Sequence, residues 1–254
     1  MFTKIIYINL DRRQDRNQNV INELTKIDLY NDNVIRIPGV DWKTIDFTNL
    51  SRDIITETGI QTALDNNAPL FIPMTKGGIG VALAHRNAYL KVLELEDEYV
   101  LILEDDIHII HDFKEKLNEY LKIIPPFDIL FIGYHQMIQN NNIINDTYTQ
   151  PHNIWGLFGY IINKKAATEL LKIFPINEQI DTEISKAFQN LNVYCLNYEN
   201  RLIHSEGSAT NTEFGTDIQI REDFNNLNND NNNNTYFLIL IIILIILFYF
   251  YKIK

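Results

Sequence analysis

The sequence predicts an α/β domain with a largely parallel sheet, and two observations support this fold class. Short apolar runs rich in β-branched residues alternate along the chain with longer segments whose apolar residues recur at helical spacing. The run YVLILE, residues 99–104, shows no alternation of polar and apolar residues, which is typical of a strand covered on both faces of its sheet. Ligands of such sheets bind beyond the carboxyl ends of the strands, so we expect a functional site there.

The first part of the chain alternates strand, helix, strand and helix. We expect strands at KIIYINL (4–10) and NVIRI (33–37), because both runs are short, apolar and β-branched. We expect helices at 15–27 and 80–96, where the apolar residues return every three or four positions and would lie on one face.

The second part of the chain continues this alternation. After the strand at 99–104, we expect a helix at 112–124, a strand at 127–133 and a helix at 163–174. Asp112 suits the N-cap position of the first of these helices. Prolines follow both helices directly, and proline cannot continue a helix.

The composition restricts the classes of function that the chain can have. Its 254 residues, of which 46% are hydrophobic, suffice for one large domain with a sizeable core and an appendage. The net charge of −11 argues against a nucleic-acid partner, because neutralising phosphates requires clustered lysine and arginine. With Cys195 as its one cysteine, the chain has no internal disulfide, which is compatible with a reducing compartment.

The C-terminal region predicts a membrane anchor. Residues 221–234 are polar and low in complexity, which is typical of a flexible tether. Residues 235–251 carry no charge and are apolar on every face, which favours a transmembrane helix over a buried core helix or a sheet strand. We therefore expect a domain at 1–222, a linker at 223–235 and a transmembrane helix at 236–251.

The expected orientation of this anchor leaves the domain in the cytosol. The N-terminal apolar run is too short for a signal peptide, so a span at the C-terminus would insert after synthesis, as in a tail-anchored protein. Lys252 and Lys254 lie beyond the span and favour the opposite orientation under the positive-inside rule. We expect a single-pass membrane protein anchored by its C-terminus, with a cytosolic domain.

Three adjacent carboxylates, those of Glu104, Asp105 and Asp106, follow the buried strand at the edge where a ligand is expected. Such a cluster is often a solvated turn that caps the next helix, but Asp112 already suits that position. If the strand pleat continues, Glu104 and Asp106 point to the same side. Mg²⁺ and Mn²⁺ prefer carboxylate oxygens and keep coordination positions for substrate phosphates, so the pattern predicts a divalent-metal site.

Three other polar stretches are less specific. The histidines of IHIIH (107–111) are weak evidence for zinc and are more often structural. The glycines of KGGIG (76–80) fit neither the dinucleotide-binding pattern nor the P-loop, so a tight turn before a closely packed helix is the simpler interpretation. Arg12, Arg13 and Arg16 follow the first strand, where guanidinium groups suit phosphate or begin a solvated helix.

Four stretches together resemble glycosyltransferase family 25, which includes bacterial lipopolysaccharide galactosyltransferases and procollagen galactosyltransferases. They are IYINLDRRQDR, GGIGVALAHRNAYLKVLE, VLILEDDI and GYIINKKAATELL. Each is modest alone, but their order and spacing over residues 4–207 are specific. The resemblance implies a GT-A-like, Rossmann-like domain with a UDP-sugar donor and Mn²⁺, or Mg²⁺, at an acidic motif. It implies inverting transfer of galactose or glucose to a hydroxyl of a glycan, lipid or protein acceptor.

The resemblance also implies roles for residues at and across from the acidic motif. It implies that Glu104 and Asp106 bind the metal, with Asp106 foremost, and that Asp105 belongs to the donor site. His204 would complete the metal or diphosphate contacts, and a merely structural role is the alternative for this residue. Asp181 is the candidate general base, because an inverting displacement needs a carboxylate across from the metal. A helix N-cap is the alternative for Asp181.

The remaining site residues implied by the resemblance lie on the donor side. Asn9, Arg12 and Arg13 would lie along the donor nucleotide, and His85 and Arg86 match the histidine-containing helix of the family and would face the site.

One departure from the family supports a second hypothesis. The family usually has Cys-x-Ser-His in this helix, whereas here Ala84 precedes His85, so a hydroxyl group beside the histidine is missing. The alternative function is therefore a catalytically degenerate transferase-like module that acts as a membrane-tethered glycan- or partner-binding protein. A metal-dependent hydrolase is less well supported, because it requires more converging histidine and aspartate side chains.

Overall fold

The computed structural model describes residues 2–65, 74–139 and 145–205. The chain divides into two units, Met1–Gln219 and Ile220–Lys254, and every described residue belongs to the first. The predicted linker and the predicted transmembrane helix lie outside the described residues. Among the helices of the described ranges, none is both long and apolar enough to cross a membrane.

Strands and helices alternate along the described chain. The strands are β1 (Lys4–Asn9), β2 (Val34–Pro38), β3 (Tyr99–Leu103), β4 (Ile107–Ile109), β5 (Ile129–Gly133), β6 (Gln136–Gln139), β7 (Tyr148–Thr149), β8 (Pro151–Trp155), β9 (Gly159–Asn163), β10 (Val193–Leu196) and β11 (Ile203–Ser205). The α-helices are α1 (Gln14–Lys26), α2 (Glu57–Leu64), α3 (Lys76–Glu94), α4 (Phe113–Leu121), α5 (Lys164–Leu171) and α6 (Ile180–Glu183). Short 3₁₀ segments span Trp42–Thr44, Ile184–Asn190 and Tyr198–Asn200.

The central sheet of the described residues contains seven strands in the order β2-β1-β3-β9-β5-β10-β7. Strands β2, β1, β3, β5 and β10 run in one direction, and β9 and β7 run in the other. The predicted α/β fold with a mainly parallel sheet is thereby confirmed. Two smaller sheets, β11-β4 and β6-β8, complete the described strands.

Strand β9 lies between β3 and β5 and is antiparallel to both, which the sequence patterns do not predict. The strand is five residues long and continues directly into α5, whose first turn is capped by the side chain of Asn163 accepting from the backbone N–H of Ala166. A short apolar run next to a helix start cannot be assigned from periodicity alone.

The sheet is covered on both faces, as expected for a strand such as β3 that lacks polar alternation. On one face, Val100 and Ile102 pack in a cluster with α3 and α5 residues such as Tyr89 and Leu170. On the other face, the intervening residues Leu101 and Leu103 belong to a second cluster with residues of α1 and α4. Because each fully buried aliphatic side chain contributes roughly 2 kcal/mol, these two layers hold the carboxyl end of β3 in place.

The start of α3 differs from its prediction. The helix begins at Lys76 rather than residue 80, with Thr75 Oγ1 accepting from the backbone N–H of Gly78, so the glycines form its first turns instead of a preceding loop. A Cβ atom added to Gly80 would lie 2.4 Å from the carbonyl oxygen of Val40. Gly80 therefore lets α3 approach the segment after β2 closely.

The other predicted helices are present, with α1 shifted by one residue and α4 and α5 shorter than expected. Asp112 is the N-cap residue of α4, but its side chain makes no capping hydrogen bond within the described residues and instead lies 4.0 Å from Lys116 Nζ. Helices α4 and α5 end at Leu121 and Leu171, each three residues before its predicted end. The prolines therefore mark the connections after these helices rather than their last residues.

Candidate active site

A cleft opens at the carboxyl ends of β1, β2 and β3, beside the first half of α3, where the sheet architecture predicts a ligand. It encloses about 600 Å³, including the part open to solvent. Its lining residues are Ile8, Asn9, Leu10, Arg16, Gly39, Val40, Trp42, Gly77, Gly80, Val81, Ala84, His85, Glu104, Asp105 and Asp106. Along α3, Gly80 lies beside Val40, and His85 lies beside Glu104, so the cleft has an apolar region and an acidic region.

Asp105 anchors the acidic motif to the first strand and the first helix. Its Oδ2 accepts a 2.8 Å hydrogen bond from Asn9 Nδ2, and its Oδ1 accepts a 2.9 Å bond from Arg16 Nη1. Only 6% of Asp105 is exposed. Burial raises the pKa of its carboxyl group, while Arg16 and Asn9 act in the opposite direction by stabilising the charged form. Because both oxygens are engaged, Asp105 is oriented by the protein itself.

Asp106 has a carboxylate oxygen that the described residues leave unused. Its Oδ1 is buried and has no hydrogen-bond partner among them, and its Oδ2 lies 3.6 Å from Arg16 Nη2. Burial, followed by the negative charge of Glu104, raises the pKa of Asp106 to about 6. A cation at this position would oppose the repulsion between the two carboxylates and occupy the unused oxygen.

Glu104 is linked to the interior through a chain of polar side chains. Its Oε1 lies 3.2 Å from His85 Nε2, His85 Nδ1 lies 2.8 Å from the Tyr160 hydroxyl, and that hydroxyl donates to Tyr89 at 3.4 Å. His85 is 1% exposed, and burial raises the pKa of both tyrosines, so their hydroxyls remain protonated. Although Ala84 offers no hydroxyl, His85 therefore has a partner on each of its ring nitrogens.

Asp181 lies in the first turn of α6, whose N-cap position belongs to Gln179, so the N-cap interpretation of Asp181 is wrong. Its Oδ2 accepts from the backbone N–H of Gly156 at 3.4 Å. Burial raises the pKa of Asp181, the nearby negative charge of Glu104 adds to this, and His85 opposes it. Asp181 is thus within electrostatic range of the Glu104–His85 pair, although it comes from a distant part of the sequence.

Three arginines expected at the donor site, Arg12, Arg13 and Arg86, are not among the residues that line the cleft. Arg12 pairs with Asp41 at 2.6 Å, and Arg13 pairs with Asp15 at the same distance, so both lie at the start of α1. The guanidinium of Arg86 lies 5.9 Å from the ring centroid of Phe174. Of the expected residues, Asn9, His85, Glu104, Asp105 and Asp106 line the cleft together.

His204 lies in β11, where it is paired with His108 of β4. Within residues 2–65, 74–139 and 145–205, no group of three or more His, Cys, Asp or Glu side chains is arranged to hold a metal ion. Mg²⁺ sites commonly use one or two carboxylates and complete their coordination with water and substrate phosphate. Glu104 and Asp106, with the unused Asp106 oxygen, fit such a cation, and metal binding there stays a prediction.

Two residues of the cleft have no counterpart in the sequence-based site. Arg16 bridges Asp105 and Asp106, although the sequence pattern only groups it with Arg12 and Arg13. Trp42 lines the apolar region, and its buried indole Nε1–H has no hydrogen-bond partner in the described part of the chain. The helical position of Arg16 offers a weak signal, because it points toward the sheet one turn after Arg12, whereas nothing in the sequence marks Trp42.

Comparison with known proteins gives several relatives. The human protein named "Procollagen galactosyltransferase 2" is 26% identical over 202 residues, which are 73% of this chain and 31% of that protein. A "Glycosyltransferase 25 family member" of Drosophila pseudoobscura pseudoobscura is 29% identical over 188 residues, covering 70% of this chain and 28% of the relative. The chain thus spans about 30% of the length of the curated relatives it matches.

Among solved structures, S. aureus TarS 1–349 in complex with UDP-GlcNAc is similar with a TM-score of 0.44 and 12% sequence identity, over 83% of this chain and 59% of that one. The sequence pattern that defines "Glycosyltransferase family 25 (LPS biosynthesis protein)" matches residues 2–184, which include β1, the glycine-rich helix, the acidic motif and Asp181. Because this match extends over most of the chain, the protein belongs to glycosyltransferase family 25.

Proposed function

We propose that this protein is a metal-dependent glycosyltransferase with a GT-A-like domain. It would transfer galactose or glucose from a UDP-sugar to a hydroxyl group of a glycan, lipid or protein acceptor, with inversion at the anomeric carbon. Family membership and the similarity to procollagen galactosyltransferases support the reaction class. The observation that carries the proposal is the buried, unused Oδ1 of Asp106 in a cleft that also contains Glu104.

The acidic region of the cleft suits the diphosphate of the donor. Glu104 and Asp106 would hold Mn²⁺ or Mg²⁺, which supplies positive charge to the diphosphate as it leaves. Arg16 lines the same region, and its guanidinium fork suits phosphate oxygens. Asp105 would serve the donor indirectly, because its contacts with Asn9 and Arg16 fix the position of the motif.

The apolar region of the cleft suits the nucleoside. Val40, Val81 and Trp42 line it, and the indole N–H of Trp42 is a buried donor that a base or ribose oxygen would satisfy. Arg12, next to this region through its pair with Asp41, would lie along the donor together with Arg13 and Arg86. The donor would therefore extend from Trp42 toward Asp106.

Asp181 is the proposed general base. An acceptor oxygen would attack the anomeric carbon as the bond from that carbon to the diphosphate oxygen breaks, and the hydroxyl proton would pass to the Asp181 carboxylate. The raised pKa of this carboxyl group makes it a stronger base than a fully solvated aspartate. His85, held between Tyr160 and Glu104, would keep the Glu104 carboxylate in its orientation during the reaction.

The reaction is tested by measuring UDP release from UDP-galactose and UDP-glucose with the full-length chain. We expect turnover with Mn²⁺, loss of turnover in EDTA, and at least a hundredfold loss in Asp106→Asn. Asp112→Asn is the matched control, because its carboxylate is exposed at the start of α4 and should leave turnover unchanged. Equal rates in EDTA would exclude the metal role, and absence of both turnover and UDP-sugar binding would exclude the enzyme.

The membrane anchor and the cytosolic orientation form a separate part of the proposal. The anchor is supported by the uncharged, apolar run at 235–251. Protease treatment of intact membranes tests the orientation. We expect the domain at 1–222 to be digested, and a protected domain would reverse the assigned side.

The alternative of a degenerate binding module rests on Ala84 in place of a serine. Because His85 already contacts Tyr160 and Glu104, this substitution leaves the histidine with partners. The alternative predicts sugar or partner binding that persists in Asp106→Ala, whereas the enzyme proposal predicts loss of turnover in that variant.

A further inference from the structure

Four polar side chains of α1 form a stripe that faces the acidic motif and the strand after it. The stripe consists of Arg16, Asn19, Glu23 and Lys26, which are spaced three, four and three residues apart. At about 100° per residue, this spacing places all four side chains within one narrow face of the helix. Each of them contacts the segment 105–109, and we call them the α1 stripe.

The contacts of the α1 stripe follow the chain in order. Arg16 bonds the carboxylate of Asp105, and Asn19 Nδ2 donates to the carbonyl oxygens of Ile107 at 2.9 Å and Asp105 at 3.4 Å. Glu23 Oε2 accepts from the backbone N–H of Ile109 at 2.5 Å, and Lys26 Nζ donates to the Ile109 carbonyl at 3.0 Å. The backbone groups involved all belong to residues 105, 107 and 109.

Because only every second residue is bonded, the α1 stripe occupies the place of a neighbouring strand. Backbone groups of alternate residues in a strand point to opposite edges. The even-numbered residues use the edge away from α1. His108 of β4 pairs with His204 of β11, and the backbone N–H of Ile110 donates to the Leu202 carbonyl. The α1 stripe therefore supplies backbone groups of residues 105, 107 and 109 with the hydrogen-bond partners that a neighbouring strand would otherwise supply.

We infer that the α1 stripe is a positioning device for Asp106, and that Asn19 is its central residue. The two carbonyl groups that Asn19 holds belong to the residues on either side of Asp106, so one side-chain amide restrains the peptide unit that joins Asp105 to Asp106 and the peptide unit that follows Ile107. Lining residues of a metal site must be held to within about 0.5 Å by such supporting contacts. This inference rests on the proposed function, because it assigns the purpose of the restraint to cation binding by Asp106.

The matched variants are Asn19→Leu and Gln18→Leu. Asn19→Leu keeps a side chain of similar size but removes both hydrogen bonds, whereas Gln18 is the adjacent exposed residue, whose amide bonds Asn22 on the same helix. Asn19→Gln retains an amide donor and serves as the conservative variant. Glu23→Leu and Glu23→Gln form a second pair, because glutamine still offers an oxygen to the Ile109 amide.

Two readouts are measured on the full-length chain. The first is amide hydrogen exchange of residues 105–109 without metal, and the second is Mn²⁺ affinity by titration. We expect Asn19→Leu to accelerate exchange in 105–109 while leaving β5 unchanged, and to weaken Mn²⁺ binding about tenfold, in line with other supporting contacts of metal ligands. Asn19→Gln should recover part of the affinity, Gln18→Leu should match the wild type, and Glu23→Leu should expose the Ile109 amide more than Glu23→Gln.

The two readouts separate the inference from the proposed function. If the wild type binds Mn²⁺ and Asn19→Leu binds it equally well, the positioning role is wrong. Unchanged exchange of residues 105–109 in both leucine variants would also overturn it. If the wild type binds neither Mn²⁺ nor a UDP-sugar, the proposed function fails, and the assigned purpose of the stripe fails with it, whereas the exchange data then show whether the restraint on the segment exists.

Discussion

His85 and Glu104 form a pair at the boundary between the cleft and the core, with Nε2 of the histidine 3.2 Å from Oε1 of the glutamate. The histidine is 1% exposed, whereas the glutamate lines the cleft. The other ring nitrogen lies 2.8 Å from the Tyr160 hydroxyl. The orientation of a cleft carboxylate is therefore set from inside the domain, across α3, β3 and β9.

The first prediction concerns Tyr160→Phe, which removes the hydroxyl that contacts His85. We expect turnover to fall about tenfold, because the histidine loses the partner that fixes its ring and thereby the carboxylate of Glu104. Leaving the buried ring nitrogen without a partner should also lower the free energy of unfolding by about 1–3 kcal/mol. Steady-state kinetics and urea unfolding measure the two effects.

Tyr99→Phe is the control for this change. It also removes one tyrosine hydroxyl. Tyr99 lies at the start of β3, at the opposite end of the strand from the acidic motif, and its hydroxyl donates to the Phe127 carbonyl. The control should show a similar or smaller loss of stability with unchanged turnover. Equal turnover in Tyr160→Phe and Tyr99→Phe would contradict the role assigned to the His85–Glu104 pair.

The second prediction is that Asp106→Asn raises the melting temperature of the metal-free protein near pH 7 while it abolishes turnover. The native carboxylate is partly buried with an unused oxygen beside Glu104, so its negative charge destabilises the fold unless a cation is bound. Asparagine removes that charge at almost constant volume. Differential scanning calorimetry in EDTA measures the effect, and a melting temperature below that of the wild type would show that the charge is not a source of strain.

The third prediction concerns the acid stability that Asp128 provides. Burial raises the pKa of its carboxyl group, but hydrogen bonds from Lys165, Asn163 and the Asn192 N–H outweigh burial and hold the pKa below 3.8. Because the pKa of Asp128 in the folded protein is lower than 3.8, its value in the unfolded chain, the ionised carboxylate stabilises the fold above pH 3.8. This contribution is lost as the pH falls below 3.8 through the lower pKa of the folded protein.

We therefore expect Asp128→Asn to destabilise the protein by about 1–3 kcal/mol at pH 7, because it weakens these bonds. The difference from the wild type should shrink as the pH falls below 3.8. Urea unfolding at a series of pH values measures this, with Asp112→Asn as an exposed control. A difference that is constant across the series would rule out the charge as its source.

The fourth prediction is that Gly80→Ala destabilises the protein, although alanine normally favours a helix by about 1 kcal/mol over glycine. The added Cβ would lie 2.4 Å from the Val40 carbonyl, so α3 must move away from the wall of the cleft. We expect a loss of about 1–3 kcal/mol in unfolding free energy and weaker UDP binding. Asn87→Ala, at an exposed position of α3, is the control and should be neutral or stabilising.

The elements that the sequence predicts well are those whose pattern is local. Strands β1, β2, β3 and β5 and helices α1, α3, α4 and α5 follow from apolar runs and helical spacing. Strand β9 is missed because its place depends on pairing with β3 and β5, which no local pattern records. The start of α3 is missed because Gly77 and Gly78 look like turn residues, whereas the structure places both in the first turn of the helix.

The candidate site likewise has local features that the sequence predicts and contacts between distant segments that it does not. The acidic motif is recognisable because three carboxylates follow an apolar strand, and the structure places it with Asn9 and His85 in one cleft. Trp42 and the partners of His85 are not recognisable, since they come from segments far apart in the sequence. The different surroundings of Asp105 and Asp106 are also hidden in the sequence, where the two aspartates are equivalent neighbours.

The central claim is that Asp106 and Glu104 bind a donor diphosphate through a divalent cation. Calorimetric titration of the full-length chain with UDP, with and without Mn²⁺, tests it most directly. We expect UDP binding that requires Mn²⁺, is lost in Asp106→Asn and is retained in Asp112→Asn. UDP binding of equal affinity in EDTA, or in Asp106→Asn with Mn²⁺ present, would contradict the claim.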